Sequence, residues 1–297
     1  MPDPRRRSFL LAAAAAPLAG CDILPESPLP PTLQPRFVPW SGPARLALVL
    51  SSGGPRGFSH IGVLKALHEI GVKPDLVVGA SVGALLGSLL CAGAPIAELE
   101  ALAFDFDFKT LVRLSLTRGY TLSGRELAWY VNQQIEHRLG HCVLERLPVR
   151  FAAVAADTQT GEALAFNTGD TGRAVQAACA IPGRFDPVEI RGRLYADSDL
   201  VVPMPVRMAR TLGAARVIAV DCSAPADNTP PGAAAYREGD LRKRALVEAD
   251  GKFADIVLHA DIGYWVNLTR DYRERSARTA YEYTLGRRDA ILRAIAA

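Results

Sequence analysis

Several features that would assign a function at a glance are missing from this chain of 297 residues. Its five cysteines, Cys21, Cys91, Cys142, Cys179 and Cys222, include no Cys-x-x-Cys pair, so no zinc-type site is indicated. No metal or organic cofactor is implied. The formal net charge is only +3, which argues against a surface built for nucleic acid. Charged residues make up 22% of the chain, the usual globular share, which excludes bulk disorder. There is no internal repeat. No Gly-Lys-Ser/Thr follows the glycine-rich stretch at Ser51–Gly57, so a Walker loop is excluded. A full dinucleotide fingerprint is excluded too, because Ser52 stands where it needs a glycine.

The N-terminal residues form an ordered signal. Arg5–Arg7 precede an apolar stretch, Phe9–Leu18, that is too short to cross a bilayer, and Ala19-Gly20-Cys21 follows. Arg6-Arg7-Ser8-Phe9-Leu10 resembles a twin-arginine export signal. Leu18-Ala19-Gly20-Cys21 resembles a bacterial lipobox, whose cysteine is lipidated and becomes the new N-terminus. A plain secretory signal that happens to end at a cysteine is the simpler alternative. The expectation is that residues 1–20 are removed, leaving a net charge of +1. Cys21 then anchors the protein in the bacterial envelope, facing the periplasm. Asp22 directly after it points to the inner membrane. Residues 21–43 are rich in proline and are expected to be an extended tether that holds a folded unit off the membrane.

Residues 44–297 are expected to form one α/β domain. "RLALVL" and "DLVVGA" are apolar runs of strand length. Between them "GFSHIGVLKALHEIG" carries Ile61, Leu64, Leu67 and Ile70 at helical spacing and stops at Gly71. This is a β-α-β unit, and so a parallel sheet with a right-handed crossover. "SGRELAWYVNQQIEHRLG" reads as a helix opened by a capping box, Ser123 and Glu126. "VRFAAVAADT" and "EALAFNTG" read as a hairpin, with Asp157 ending its strand in a turn. "ARVIAVDC" and "FADIVLHA" are later strands, and a helical region closes the chain. Cys91 and Cys179 sit in apolar helical patterns as buried thiols. The polar stretch "SAPADNTPPGAAAYREGDLRKRALVEADGK", with Arg242-Lys243-Arg244, reads by default as a solvated loop, with contact to anionic lipid headgroups as the alternative.

Ser51–Gly57 therefore lies between a strand and a helix. Backbone N–H groups at such a turn, with the positive end of the helix, make an anion site. It can cradle a phosphate or stabilise an oxyanion in acyl transfer. The next strand–helix turn favours the second use. Gly79-Ala80-Ser81-Val82-Gly83 is Gly-x-Ser-x-Gly between a strand and a helix, the context of a nucleophile elbow. Two partners for Ser81 are open. Ser81, Asp197 and His259 stand in the order of an α/β-hydrolase triad. Alternatively, Ser81 works with one carboxylate and no histidine. His259 lies in an apolar strand run, and His60, His68, His137 and His141 carry no mark of a base.

Four segments, "SSGGPRGFSHIGVLKAL", "GASVG", "AVQAACAIPGRFDPV" and "LYADSDLVVPMPV", together resemble the patatin-like phospholipases, especially their bacterial members. The resemblance runs from about Arg45 into the last helix. It implies a three-layer α/β/α sandwich with a mainly parallel sheet, and a serine–aspartate dyad hydrolase acting on acyl esters of lipids at a membrane surface. By the same resemblance the nucleophile falls on Ser81, the oxyanion donors on Gly53 and Gly54 with Arg56 at the basic position, and the dyad aspartate on Asp197, ahead of Pro203-Met204-Pro205. The chain departs from the family pattern in two places. Ser52 replaces a loop glycine, and Ser198-Asp199 follow the aspartate where small residues are expected. Asp199 is thus a second carboxylate that could share or replace the role of Asp197. A non-catalytic member that binds lipid or protein is the rival reading.

Overall fold

The computed structural model describes residues 29–105, 107, 113–114, 122–225 and 229–296. The signal segment, Cys21 and the start of the proline-rich stretch lie outside the described residues. The first apolar run, Ala44–Leu50, forms β1 and is buried along almost its whole length, as a strand covered on both faces must be. α1 (Phe58–Ile70) follows and ends at Gly71 in the left-handed conformation, φ 88°. The chain continues through β2 (Leu76–Ala80), α2 (Val82–Cys91), α3 (Ile96–Asp105) and the short antiparallel pair β3 (Arg113–Leu114) and β4 (Leu122–Ser123). Next come α4 (Arg125–Leu139), β5 (Arg150–Asp157), β6 (Ala163–Phe166), α5 (Thr171–Ala178), β7 (Val188–Ile190) and β8 (Arg193–Asp197). The last elements are α6 (Val206–Thr211), β9 (Ala214–Val220), α7 (Arg237–Gly251), β10 (Ile256–Leu258), α8 (Arg270–Leu285) and α9 (Arg288–Ala296).

The main sheet runs β10-β9-β1-β2-β5-β8-β7, with β6 also paired to β5. From β10 to β5 the strands are parallel; β6, β8 and β7 join antiparallel. Alternation along β1 sends Leu46, Leu48 and Leu50 into one core and Ala47 and Val49 into another. The first core includes residues of α1 to α5, α8 and α9. The second is closed by Met204, by Val206 and Ala209 of α6, and by Val247 of α7. Two helical layers around a sheet are the three-layer α/β/α arrangement that the sequence implied.

Three local expectations need correction or refinement. The helix at α4 starts one residue later than its capping box requires: Gly124 is the N-cap, and the Ser123 hydroxyl accepts the Arg125 amide, at 3.3 Å. The stretch containing Arg242-Lys243-Arg244 is no loop but α7, a helix with few apolar positions that buries Val247 and Asp250. Within the proline-rich stretch, Leu33–Val38 runs along the domain. The Leu33 carbonyl accepts the Asp170 amide, and Val38 exchanges two hydrogen bonds with the Asn167 side chain. Proline lacks a donor, but the residues between the prolines keep theirs, and here they are used.

Candidate functional site

Strand register assembles the site. Leu50, the last residue of β1, pairs with Gly79 of β2, so the turn after β1 and the turn after β2 are neighbours at the carboxyl ends of adjacent parallel strands. Ala80 pairs with Val154 of β5, and the next residue of β5, Ala155, pairs with Asp197 of β8. Ser81, one residue beyond Ala80, therefore stands across from Asp197 although 116 positions separate them.

Ser81 adopts φ 52° and ψ −125°, a region a side chain rarely occupies. The elbow around it leaves no room. A Cβ on Gly79 would come within 2.4 Å of the Gly83 carbonyl oxygen, and a Cβ on Gly83 within 2.2 Å of that of Leu50. The Ser81 hydroxyl faces the Asp197 carboxylate and favours its charged form. Asp197 is only 3% exposed, and burial, reinforced by the nearby charge of Asp199, pushes its pKa up to about 7. The Ser81 hydroxyl, the Asp199 amide at 2.9 Å and the Lys243 ammonium act in the opposite sense. The structure thus brings Asp197, not Asp199, against Ser81.

The turn after β1 lies alongside. Gly53 precedes a 3-10 turn, Gly54–Gly57, with Gly54 at φ 51°. Among the described residues the N–H groups of Gly53 and Gly54 donate to no other group. Both glycines line a polar cavity of about 340 Å³ together with Ser81, Asp197, Asp199 and Lys243. Arg56 lines it too, but its guanidinium donates to the carbonyls of Gly263, at 2.8 Å, and Tyr264. On the other side of Ser81 lies an apolar cavity of about 270 Å³, lined by Phe58, Ile61, Leu85, Leu86, Leu127 and Ile181 among others. Ser81 belongs to both cavities.

His259 is elsewhere. Its Nδ1 is 2.9 Å from the Asp221 carboxylate, which raises the imidazole's pKa, and neither residue lines a cavity shared with Ser81. Asp157 accepts the amides of Gln159 and Thr160 and pairs with Arg193, the strand-end turn expected of it. Cys179, expected inside a helix, sits at the C-cap of α5, and its thiol lies 3.2 Å from the Ser81 carbonyl oxygen. Burial pushes that thiol up, well away from a thiolate. Cys91, Cys142, Cys179 and Cys222 are all free thiols. Two participants escape sequence reasoning: Lys243, and the Gly263–Tyr264 backbone that holds Arg56. Both lie in polar or irregular stretches outside every motif, so no periodicity or spacing marks them.

Comparison with known proteins agrees with this frame. The family model for patatin-like phospholipases matches residues 48–210. An uncharacterized NTE family protein of Mycobacterium tuberculosis is 35% identical over 180 residues, covering 61% of this chain and 49% of that one. Neuropathy target esterase sws of Drosophila melanogaster is 32% identical over 194 residues, covering 63% of this chain and 13% of its own length. Lysophospholipase nte1 of Emericella nidulans is 29% identical over 189 residues, 63% of this chain and 12% of that one. The chain thus spans about half the length of its mycobacterial relative and a small part of the other two. Among solved structures, VipD from Legionella pneumophila superposes with a TM-score of 0.59 over 90% of this chain and 72% of that one, at 16% identity, which speaks for the fold alone. With the family match covering more than half of the sequence, the chain belongs to the patatin-like phospholipase family.

Proposed function

We propose that this chain is a serine–aspartate acyl hydrolase that cleaves carboxylic esters of lipids at a membrane surface. One observation carries the reading. A serine on a strained elbow, facing a buried aspartate in the same cavity, stands where an apolar cavity meets two glycine amides. The names of the relatives, a lysophospholipase and an esterase, support the same class.

In this mechanism the acyl chain lies in the apolar cavity and its ester carbonyl reaches Ser81. The Ser81 hydroxyl attacks the carbonyl carbon and passes its proton to Asp197. A base with a pKa near 7 is matched to this task at neutral pH. Negative charge develops on the carbonyl oxygen, where the N–H groups of Gly53 and Gly54 stabilise it. Asp197 then returns the proton to the leaving alcohol. Water, deprotonated by Asp197, attacks the acyl-enzyme and frees the fatty acid, and the proton goes back to Ser81. Arg56 contributes by holding the turn against the Gly263–Tyr264 backbone. Cys21, by the lipobox reading, is the lipid anchor that keeps the enzyme on the membrane where acyl lipids lie.

The deciding experiment compares native protein with Ser81→Ala on a panel of phospholipid, lysophospholipid and simple ester substrates, with fluorophosphonate labelling alongside. Hydrolysis and labelling that vanish together in Ser81→Ala are expected. A folded Ser81→Ala protein with native rates would instead leave the binding-only reading. For the anchor, native protein is expected to incorporate a fatty-acid analogue and Cys21→Ala to lose it.

A further inference from the structure

The two departures from the family pattern, Ser52 and Asp199, lie 147 positions apart yet touch each other. The Ser52 hydroxyl donates to Oδ1 of Asp199. The same oxygen receives Nζ of Lys243 at 2.6 Å, from α7 on the far side of the polar cavity. Nζ also donates to the Ser52 carbonyl oxygen at 3.2 Å. Lys243 is mostly buried, with 18% of its side chain exposed, so this ion pair is screened less than a surface one. Degraded sites lose partners. Here each unusual side chain has acquired one.

The contacts reach both halves of the catalytic machinery. Asp199 donates its amide to Asp197 at 2.9 Å, so anything that fixes Asp199 fixes the loop that aims the base. The Ser52 carbonyl belongs to the same peptide group as the Gly53 N–H. In a trans peptide the C=O and N–H bonds point in opposite directions with their dipoles aligned, so an ammonium on the carbonyl both orients the N–H and strengthens it as a donor. We propose that Lys243 is a positioning residue for hydrolysis: it neutralises Asp199 beside the base Asp197, and through the Ser52 carbonyl it sets the Gly53 amide for the oxyanion. This rests on the Ser81–Asp197 reading above.

Other charged and titratable groups around Asp197 are accounted for. Ser81 faces it from the elbow, Asp199 and Lys243 from the turn and from α7, and Cys179 from the end of α5 as a neutral thiol. Of the charged residues lining the same cavity, Arg56 is bound to carbonyls, Asp240 accepts the Tyr264 hydroxyl at 2.6 Å, and Arg242 pairs with Glu238. Lys243 is the cation set against the second carboxylate.

The test measures kcat and KM against pH for the full chain on a soluble short-chain nitrophenyl ester. The proteins are native, Lys243→Met, Lys243→Arg, Asp199→Asn, the Lys243→Met/Asp199→Asn pair, and Ser81→Ala. Lys243→Met leaves Asp199 uncompensated, so the acid limb of kcat/KM should move up by about one pH unit. At pH 7, kcat should fall about tenfold or more, with KM little changed. Adding Asp199→Asn should return the limb toward its native position while kcat stays low, because the amide remains unset. Lys243→Arg should recover the limb. A Lys243→Met protein with native limb and native kcat would overturn the proposal. So would a loss of kcat with an unmoved limb that Lys243→Arg does not rescue, which is the mark of a merely structural residue. If Ser81→Ala keeps full activity, the dyad reading fails; if Ser81→Ala is dead and Lys243→Met is native, only the role of Lys243 fails.

Discussion

Two aspartates stand at the ends of two separate strands of the same sheet and meet opposite fates. Asp197 closes β8, and Asp221 directly follows β9; both are buried. Asp221 has a full set of partners: His259 at 2.9 Å, the Ser223 amide at 2.7 Å and the Ser223 hydroxyl at 3.0 Å. Burial opposes its charge, but these partners outweigh burial and hold its carboxyl below the usual range. Asp197 has the Ser81 hydroxyl and one amide, and burial wins. The Asp–His pair is the one that looks catalytic by composition, and it is saturated. On the proposed mechanism the under-provided aspartate is the one that serves as base.

That contrast can be broken most severely at the nucleophile. Ser81→Ala should lower ester hydrolysis by at least about 1,000-fold. It should also leave the fold intact, as thermal melting would report, because Ala84 and Leu85 still bond the residue 81 carbonyl. Next, Asp197→Asn should cost about 1,000-fold in kcat/KM. Asp221→Asn and His259→Ala should stay within a few-fold in rate and lose thermal stability instead. A dead, folded His259→Ala would reverse the roles of the two aspartates. Smaller again is Gly53→Ala. Its Cβ would lie 2.9 Å from Cβ of Cys222, so the turn must shift, and acylation should slow by about 100-fold. Acylation at the native rate would detach this turn from the oxyanion.

The smallest effect is the pH dependence of stability, where the two aspartates should differ in sign. Between 3.8 and about 7 the folded chain keeps a proton on Asp197 that the unfolded chain has released. Its contribution is therefore complete at low pH and is lost as the pH rises through about 7. Asp221, with a lowered pKa, contributes above 3.8 and loses that contribution as the pH falls through its folded value. His259, with a raised pKa, contributes below 6.5 and loses it as the pH rises through its folded value. Melting curves should show Asp197→Asn gaining on native protein as the pH rises from 3.8 to about 7 and keeping that gain above it, and Asp221→Asn losing most near neutrality. Parallel curves for both variants would remove the distinction.

Much of this was legible in the sequence because it is local. β1, α1 and β2 follow from apolar runs and a helical period bounded by Gly71, and the elbow follows from glycines that no Cβ can replace. The pairing of Ser81 with Asp197 was reached by resemblance and not by pattern, since it depends on β8 turning antiparallel against β5. α7 was missed because its sequence offers almost no apolar face: its helicity is polar and its few buried side chains include Asp250. Lys243 was missed with it. In the sequence, Ser52 and Asp199 looked like two separate losses, because nothing in one dimension shows that two loops and a helix meet.

The grip of Arg56 on the Gly263 and Tyr264 carbonyls has a consequence for how the molecule can diverge. The proposed nucleophile, base and oxyanion turn all fall inside residues 48–210, whereas α7 and the Gly263–Tyr264 backbone come later in the chain. The apolar cavity is lined almost wholly from the first stretch, with Leu268 from the second, whereas the polar cavity also takes Gly239, Asp240, Arg242 and Lys243 from the second, so the two stretches meet at Arg56 and Lys243. Substitutions in the later stretch can reshape the polar cavity while the apolar one stays fixed, provided those two cations keep their grip. On the proposed mechanism, drift there should show first as an altered preference for the polar part of the substrate, with the acyl chain accepted as before.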